Sequence, residues 1–259
     1  MKHRAGTPEH IIERRERVFL ALAAIFLCAM TMLNIIGITR FIDLGFFTVA
    51  VGVLPYPITF LVTDLISELY GQRRANFLVT VGLVLNFFIL GVLTLGIYIP
   101  PVDQTAQPLW QTLSLSSDVI LPNGTTVGGE VELYSLLYAT TSGAVFASMM
   151  AYIAAQYCDV KLFHFWKRLT NGKHLWLRNN GSTIVSQMVD SFVVISVTFG
   201  AAFMAGTISL GVMLNYMWSN YLFKLTVAIL DTPLIYVGVH YLKRYLELTD
   251  EEVLAHIHD

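Results

Sequence analysis

The sequence predicts an all-α integral membrane protein with six transmembrane helices and both ends in the cytoplasm. Three observations carry this. The 259 residues are 55% hydrophobic and only 13% charged, whereas a soluble domain carries about 25% charged residues. Apolar stretches of about 20 residues, long enough to cross a bilayer, recur along the chain. Lysines and arginines gather in alternate connections, as cytoplasmic loops do.

The expected spans are 17–38, 46–70, 76–99, 132–157, 183–206 and 213–242, which form one bundle over 17–242. Residues 1–16 read as a basic cytoplasmic N-terminus and 243–259 as a cytoplasmic tail. No removable signal peptide is expected, because the first apolar run is too long and lacks a small-residue cleavage site. The second span would rise about 37 Å as a straight helix, against a hydrocarbon core of about 30 Å. It therefore has to tilt, kink or project, and Pro55 and Pro57 are the expected kink. Gly71 is placed to end it. Span four carries Ala139, Gly143, Ala147, Ala151 and Ala155 at intervals of four. Such a small stripe reads as tight internal packing, with a sliding surface or a homodimer contact as the alternative. Span five follows Arg178-Asn-Asn-Gly-Ser-Thr183, a polar run suited to capping a helix start. Span six contains Asp231-Thr-Pro233, where proline breaks the helical ladder, so spans two and six are both expected to be kinked.

Orientation follows from the basic residues. Lys2, Arg4, Arg14, Arg15 and Arg17 precede span one; Arg73 and Arg74 follow span two. Lys161, Lys167, Arg168, Lys173 and Arg178 lie between spans four and five, and Lys243 and Arg244 follow span six. With six spans all of these fall on one side; only Arg40 disagrees. The extracytoplasmic segment 100–131 has no Lys or Arg. It reads as a solvated loop with an Asn123-Gly124 turn, a cap over the outer mouth being the alternative. In the tail, Thr249 and Glu252 have capping-box spacing and predict a short helix.

Ionisable residues inside spans are costly and usually face the bundle interior or a water-filled cavity. Asp64 and Glu68 lie four apart, on one helix face. Asp190, Lys224 and Asp231 lie in spans five and six. Lys224 and Asp231 are seven apart, about 10 Å along a helix, too far for a direct ion pair. Asp190 is the expected partner of Lys224, and a purely structural Lys–Asp pair is the bland reading. Four acids face one base, so the surplus must be protonated, hydrated or matched by a cation. Asn34, Asn86, Ser186, Gln187 and Thr232 add neutral polar groups, with Gln187, Asp190 and Ser191 on about one face of span five.

Several classes are excluded or disfavoured. No Gly-rich loop with Lys-Ser/Thr is present, so the chain does not itself hydrolyse ATP. Gly-x-Ser-x-Gly and His-Glu-x-x-His are absent, and the aspartates lack the Gly-x-Gly-Asp pattern of intramembrane proteases. Cys28 and Cys158 offer neither a disulfide nor metal-site spacing. His164, His174 and His240 fall near cytoplasmic ends, and His256 and His258 stand in a polar tail. No metal and no cofactor is expected. A net charge of −2 without a basic arm gives no reason to expect nucleic acid as a partner.

The run Tyr56-Pro-Ile-Thr-Phe-Leu-Val-Thr-Asp-Leu-Ile-Ser-Glu-Leu-Tyr-Gly71 resembles the signature of the bacterial queuosine precursor transporter family, within the vitamin uptake transporter group. Trp176–Ser191 and Lys224–Leu234 resemble two further blocks of that family. The resemblance implies a multi-pass protein of the cell inner membrane. It also implies uptake of 7-cyano-7-deazaguanine and 7-aminomethyl-7-deazaguanine, precursors of a modified base in tRNA. The residues fit such a nucleobase-like solute. A carboxylate can accept adjacent N–H donors of a guanine-like edge, and an acid-rich cavity suits the cationic aminomethyl form. Asp64, Glu68, Asp190 and Asp231 are the candidates to line or support the site, with Lys224 as internal counter-charge and Gln187 and Asn86 as polar contacts. Tyr56, Phe60 and Tyr221 are aromatic candidates for stacking on the heterocycle. Asp64 and Glu68, close to Arg73 and Arg74, read equally well as an inner gate. Two other classes stay open: a substrate-capture subunit that needs a separate ATPase module, and a membrane enzyme using paired carboxylates.

Overall fold

The computed structural model describes residues 8–103, 106–121, 125–169 and 175–249. The Asn123-Gly124 turn, His174, the first seven residues and the tail from 250 lie outside them. Six long helices dominate: α1 Glu9–Ile36, α2 Tyr56–Tyr70, α3 Gln72–Tyr98, α4 Leu133–Leu169, α5 Leu175–Met204 and α6 Leu210–Tyr245. Among the described residues, five helices are long and apolar enough to cross a membrane. The stretch expected as span four lies in α4.

Span two departs from expectation. Strand β1, Phe41–Asp43, pairs antiparallel with β2, Thr48–Ala50, in the register Phe41↔Ala50. Val49 on β2 is buried. A 3-10 turn, Val51–Val53, follows, and α2 begins only at Tyr56. Pro55 is its N-cap residue and Pro57 lies in its first turn. There the missing N–H costs nothing, because the first turn has no intrahelical acceptor for it. Both prolines therefore start the helix rather than bend it. Pro233 does lie inside α6. The fifth helix starts at Leu175, so Asn179, Asn180 and Ser182 stand within it rather than as its cap.

The segment after α3 contains four short strands: β3 Thr112–Ser114, β4 Val119–Ile120, β5 Thr126–Val127 and β6 Glu130–Glu132. β3 pairs with β6 and β4 with β5, both antiparallel.

The chain divides into two compact units. The first comprises Met1–Leu33, Leu54–Asn86 and Val227–Asp259. Its core joins Ala23 and Phe26 of α1, Val62, Ile66, Leu69 and Tyr70 of α2, Ala75 and Leu78 of α3, and Leu246 and Leu248 beyond α6. Gly71, at φ +89°, turns the chain from α2 into α3, a conformation that favours glycine. Gly238 on α6 lets Leu65 approach: a Cβ built there would meet Leu65 Cδ2 at 2.9 Å.

The first unit is closed at one end by an arginine clamp. Glu247, at φ +50°, terminates α6 in a left-handed residue. The Leu248 and Glu247 N–H groups donate back to the Lys243 and Arg244 carbonyls, at 3.1 and 3.3 Å, a Schellman arrangement. Carbonyls left over at the helix end are taken by α1. Arg15, buried at 6% exposure, donates from Nε to the Leu246 carbonyl at 3.0 Å and from Nη2 to the Glu247 carbonyl at 2.9 Å. Arg14 donates to the Tyr245 carbonyl at 2.9 Å and pairs with the Glu247 carboxylate at 3.0 Å. Tyr70 of α2 donates its hydroxyl to the Arg15 carbonyl at 2.8 Å. Arg74 pairs with Glu16 at 2.8 Å and lies over the Phe19 ring.

The second unit comprises Asn34–Val53 and Phe87–Thr226. α4 packs against α5. Of the small stripe, Ala139, Ala147 and Ala151 are buried, whereas Gly143 and Ala155 are half-buried and a Cβ at Gly143 would meet nothing within 4 Å. Ile195 and Phe199 of α5 form a core with Met213 and Met217 of α6. Phe41 of the hairpin stacks on Tyr216 with ring centroids 4.5 Å apart.

Removing the Arg15 guanidinium leaves two carbonyls without donors, at about 1–3 kcal/mol for each that stays buried. Arg14→Met loses the exposed Arg14–Glu247 pair, worth at most about 1 kcal/mol, and one exposed hydrogen bond to the Tyr245 carbonyl, whose acceptor water can satisfy. Arg15→Met is therefore expected to lower the thermal midpoint in detergent well below that of Arg14→Met. Equal midpoints would contradict the clamp.

Candidate functional site: charged groups within the helices

The second unit holds a buried ion pair between α5 and α6. The Lys224 ammonium donates to Asp190 Oδ2, with side-chain exposures of 7% and 20%. The surroundings explain why neither helix simply carries leucine here. Ser186, one turn before Asp190, and Ser191, beside it, are both buried. The Ser191 hydroxyl, fully enclosed, has no hydrogen-bond partner among the described residues. Gln187 is half-buried on the same face of α5. Aromatic residues stand close to the pair along both helices. Phe192 meets Trp218 edge-on at 5.5 Å, Trp218 meets Tyr221 at 5.9 Å, and Phe47 of the hairpin meets Phe223 at 6.1 Å. Asp190, Lys224, Gln187 and Ser191 thus bring opposite charges, an amide and a hydroxyl to this stretch of α5 and α6.

The first unit holds the uncompensated acids. On α2, Val62, Leu65, Ile66 and Leu69 face the core, while Asp64 and Glu68 share the exposed face. Asp231 of α6 is buried at 4% exposure, and its Oδ2 has no hydrogen-bond partner among the described residues. Asp64 lies within electrostatic reach of Asp231. Arg74 is committed to Glu16, so it does not neutralise Glu68. Pro233, two residues beyond Asp231, cannot donate to the Ile229 carbonyl one turn back. Tyr56 and Phe60 pack edge-on against each other at 4.5 Å. Asn86 is buried on α3.

The sequence candidates thus fall into two groups. Gln187, Asp190, Lys224 and Tyr221 belong to the second unit; Tyr56, Phe60, Asp64, Glu68, Asn86 and Asp231 belong to the first. Among the described residues, no group of three or more His, Cys, Asp or Glu side chains could hold a metal ion. Both cysteines are free thiols. The sequence reading left the buried roles of Ser191 and Arg15 unassigned. Arg15 was legible only as one more positive charge in a basic terminus.

Five long apolar helices among the described residues, one of them ion-paired at Lys224, fit a multi-pass membrane protein. A family model described as "Putative vitamin uptake transporter" matches residues 50–238. The chain belongs to the vitamin uptake transporter family. It is 27% identical over 206 residues to a Bacillus subtilis (strain 168) protein named "Probable queuosine precursor transporter". That alignment covers 78% of this chain and 76% of the relative. No solved structure matches.

Breaking a buried ion pair from one side strands the other charge, at a cost of about 3–5 kcal/mol. Replacing both partners by apolar groups of similar volume removes the stranded charge. Asp190→Leu and Lys224→Met are each expected to lower the thermal midpoint sharply, and the double variant to recover most of the loss. A double variant as unstable as the summed singles would contradict the pairing.

Proposed function

We propose that this protein imports 7-deazaguanine precursors of queuosine across the inner membrane, through six spans with both termini in the cytoplasm. The observation that carries the reading is the Lys224–Asp190 pair, flanked by Gln187, in a chain of the vitamin uptake family. The relative's name points to the same solute class.

The chemistry supports this choice. A guanine-like edge carries adjacent N–H donors and a carbonyl acceptor. Asp190 keeps carboxylate oxygen accessible while engaged with Lys224, and so can accept from those donors. Gln187 brings both an amide donor and an acceptor to the same helix face. Opposite charges held together leave the patch near neutrality, which suits the uncharged cyano compound as well as the cationic aminomethyl one. Flanking rings supply apolar surface for a flat heterocycle. Asp64 and Glu68 form the exposed acidic face of α2, and in lipid such a face belongs to an aqueous path or gate. The basic residues clustered at the ends of the spans support the orientation. Neither the family match nor the relative's name supports a capture subunit that depends on a separate ATPase.

The test uses cells that neither make nor import these precursors, with queuosine in tRNA as the readout. Expression of the chain is expected to restore the modified base when either precursor is supplied. A hydrogen bond to a charged group is worth about 1.5–3 kcal/mol, so Asp190→Asn should lower uptake by roughly ten- to a hundredfold. Gln187→Ala should lower it less. Full uptake by Asp64→Asn, Glu68→Gln and Asp190→Asn would overturn the site assignment.

A further inference from the structure

Among the described residues, no ion pair is seen for Asp64, Glu68 or Asp231, which raises the question of what balances them. Asp231 is the extreme case: 4% exposed, with one carboxylate oxygen lacking any hydrogen-bond partner among the described residues. An enclosed carboxylate without partner or counter-ion is costly, and the cost is relieved by a proton or a cation. The charged neighbours on each element decide between these. Along α6 they are Lys224, two turns before and paired with Asp190, then His240, about two and a half turns beyond, and Lys243 and Arg244, more than three turns beyond. From α2 they are Asp64 and Glu68, both acidic. From Val18 to Ile36, α1 carries no Asp, Glu, Lys, Arg or His, and neither does α3 from Ala75 to Tyr98. The charged residues that α2 carries are thus acids, and the named stretches of α1 and α3 offer no cation. A metal cation would gather several oxygen ligands, whereas no cluster of three metal-capable side chains occurs among the described residues. A single proton needs one carboxylate oxygen, and Asp231 Oδ2 is such an oxygen.

We propose that Asp231 is a proton-carrying site that couples substrate entry to the proton gradient. In this scheme a proton adds to a carboxylate oxygen on the outer-facing side and leaves to water on the inner-facing side, together with one substrate molecule. No electron changes hands. The exposed face holding Asp64 and Glu68 gives the proton a hydrated route, and the break in the ladder at Pro233 lies next to the site. The proposal rests on the transport reading above.

The experiment uses purified full-length protein in liposomes with a lumenal pH dye, and uncharged 7-cyano-7-deazaguanine as the probe. Counterflow of labelled substrate without any gradient reports transport itself. Adding substrate outside should acidify the lumen. With one proton per substrate, a gradient of one pH unit should sustain about tenfold accumulation. Asp231→Asn should reduce the ratio of gradient-driven accumulation to counterflow about tenfold, and Asp231→Glu should restore part of it. Wild-type counterflow without proton movement, or accumulation that follows a sodium gradient and ignores pH, overturns the coupling and leaves the substrate reading standing. Absence of wild-type counterflow overturns both.

Discussion

Charge compensation inside apolar helices is the constraint on which the structure depends. Lys224 can sit buried on α6 because Asp190 meets it from α5. That contact fixes the facing of two helices whose other contacts, through Ile195, Phe199, Met213 and Met217, are apolar and tolerate rotation. A directional charged contact chooses among packings that van der Waals contact alone would leave close in energy. The same logic separates the acids by role. Asp190 is matched and belongs to a patch able to meet a solute. Asp231 is enclosed, with one carboxylate oxygen unpartnered among the described residues, which is the basis of its proposed role as a proton carrier.

Elsewhere the fold uses charge to tie ends together. The clamp of Arg14 and Arg15 on the carbonyls beyond α6 joins the first and last helices, and the Tyr70 hydroxyl adds α2 to the same knot. Helix ends leave carbonyls unpaired by construction, and a guanidinium with five donors is well matched to them. Leu246, fully buried beneath the clamp, shows that this end belongs to the core rather than to a loose tail. The first unit therefore has a stiff base, and its acidic α2 face lies outside that core.

Most of the helical layout was legible in the sequence, because a run of 20 apolar residues has few other uses. Legibility failed where short-range chemistry competed with composition. Phe46 to Pro55 is apolar enough to extend a span, yet its β-branched residues and glycines form a strand and a 3-10 turn instead. Pro55 and Pro57 were read as a kink because the helix start was placed ten residues too early. For the site, the identities of Asp64, Asp190, Lys224 and Asp231 stood out as charges in apolar runs. Their partners did not, since pairing across helices leaves no trace in spacing along one of them. Arg15 was hidden for the converse reason: it lies among other basic residues, and only the geometry of the α6 end distinguishes it.

The central claim, that the chain recognises a 7-deazaguanine base, is tested most directly by ligand-induced stabilisation of the purified protein. A ligand that binds only the folded state at about a hundred times its Kd adds about 2.7 kcal/mol. The account predicts a saturable rise in thermal midpoint with 7-cyano-7-deazaguanine, greatly weakened in Gln187→Ala and absent with adenine, whose edge reverses the donor–acceptor order. No rise, or an equal rise with adenine, would contradict it.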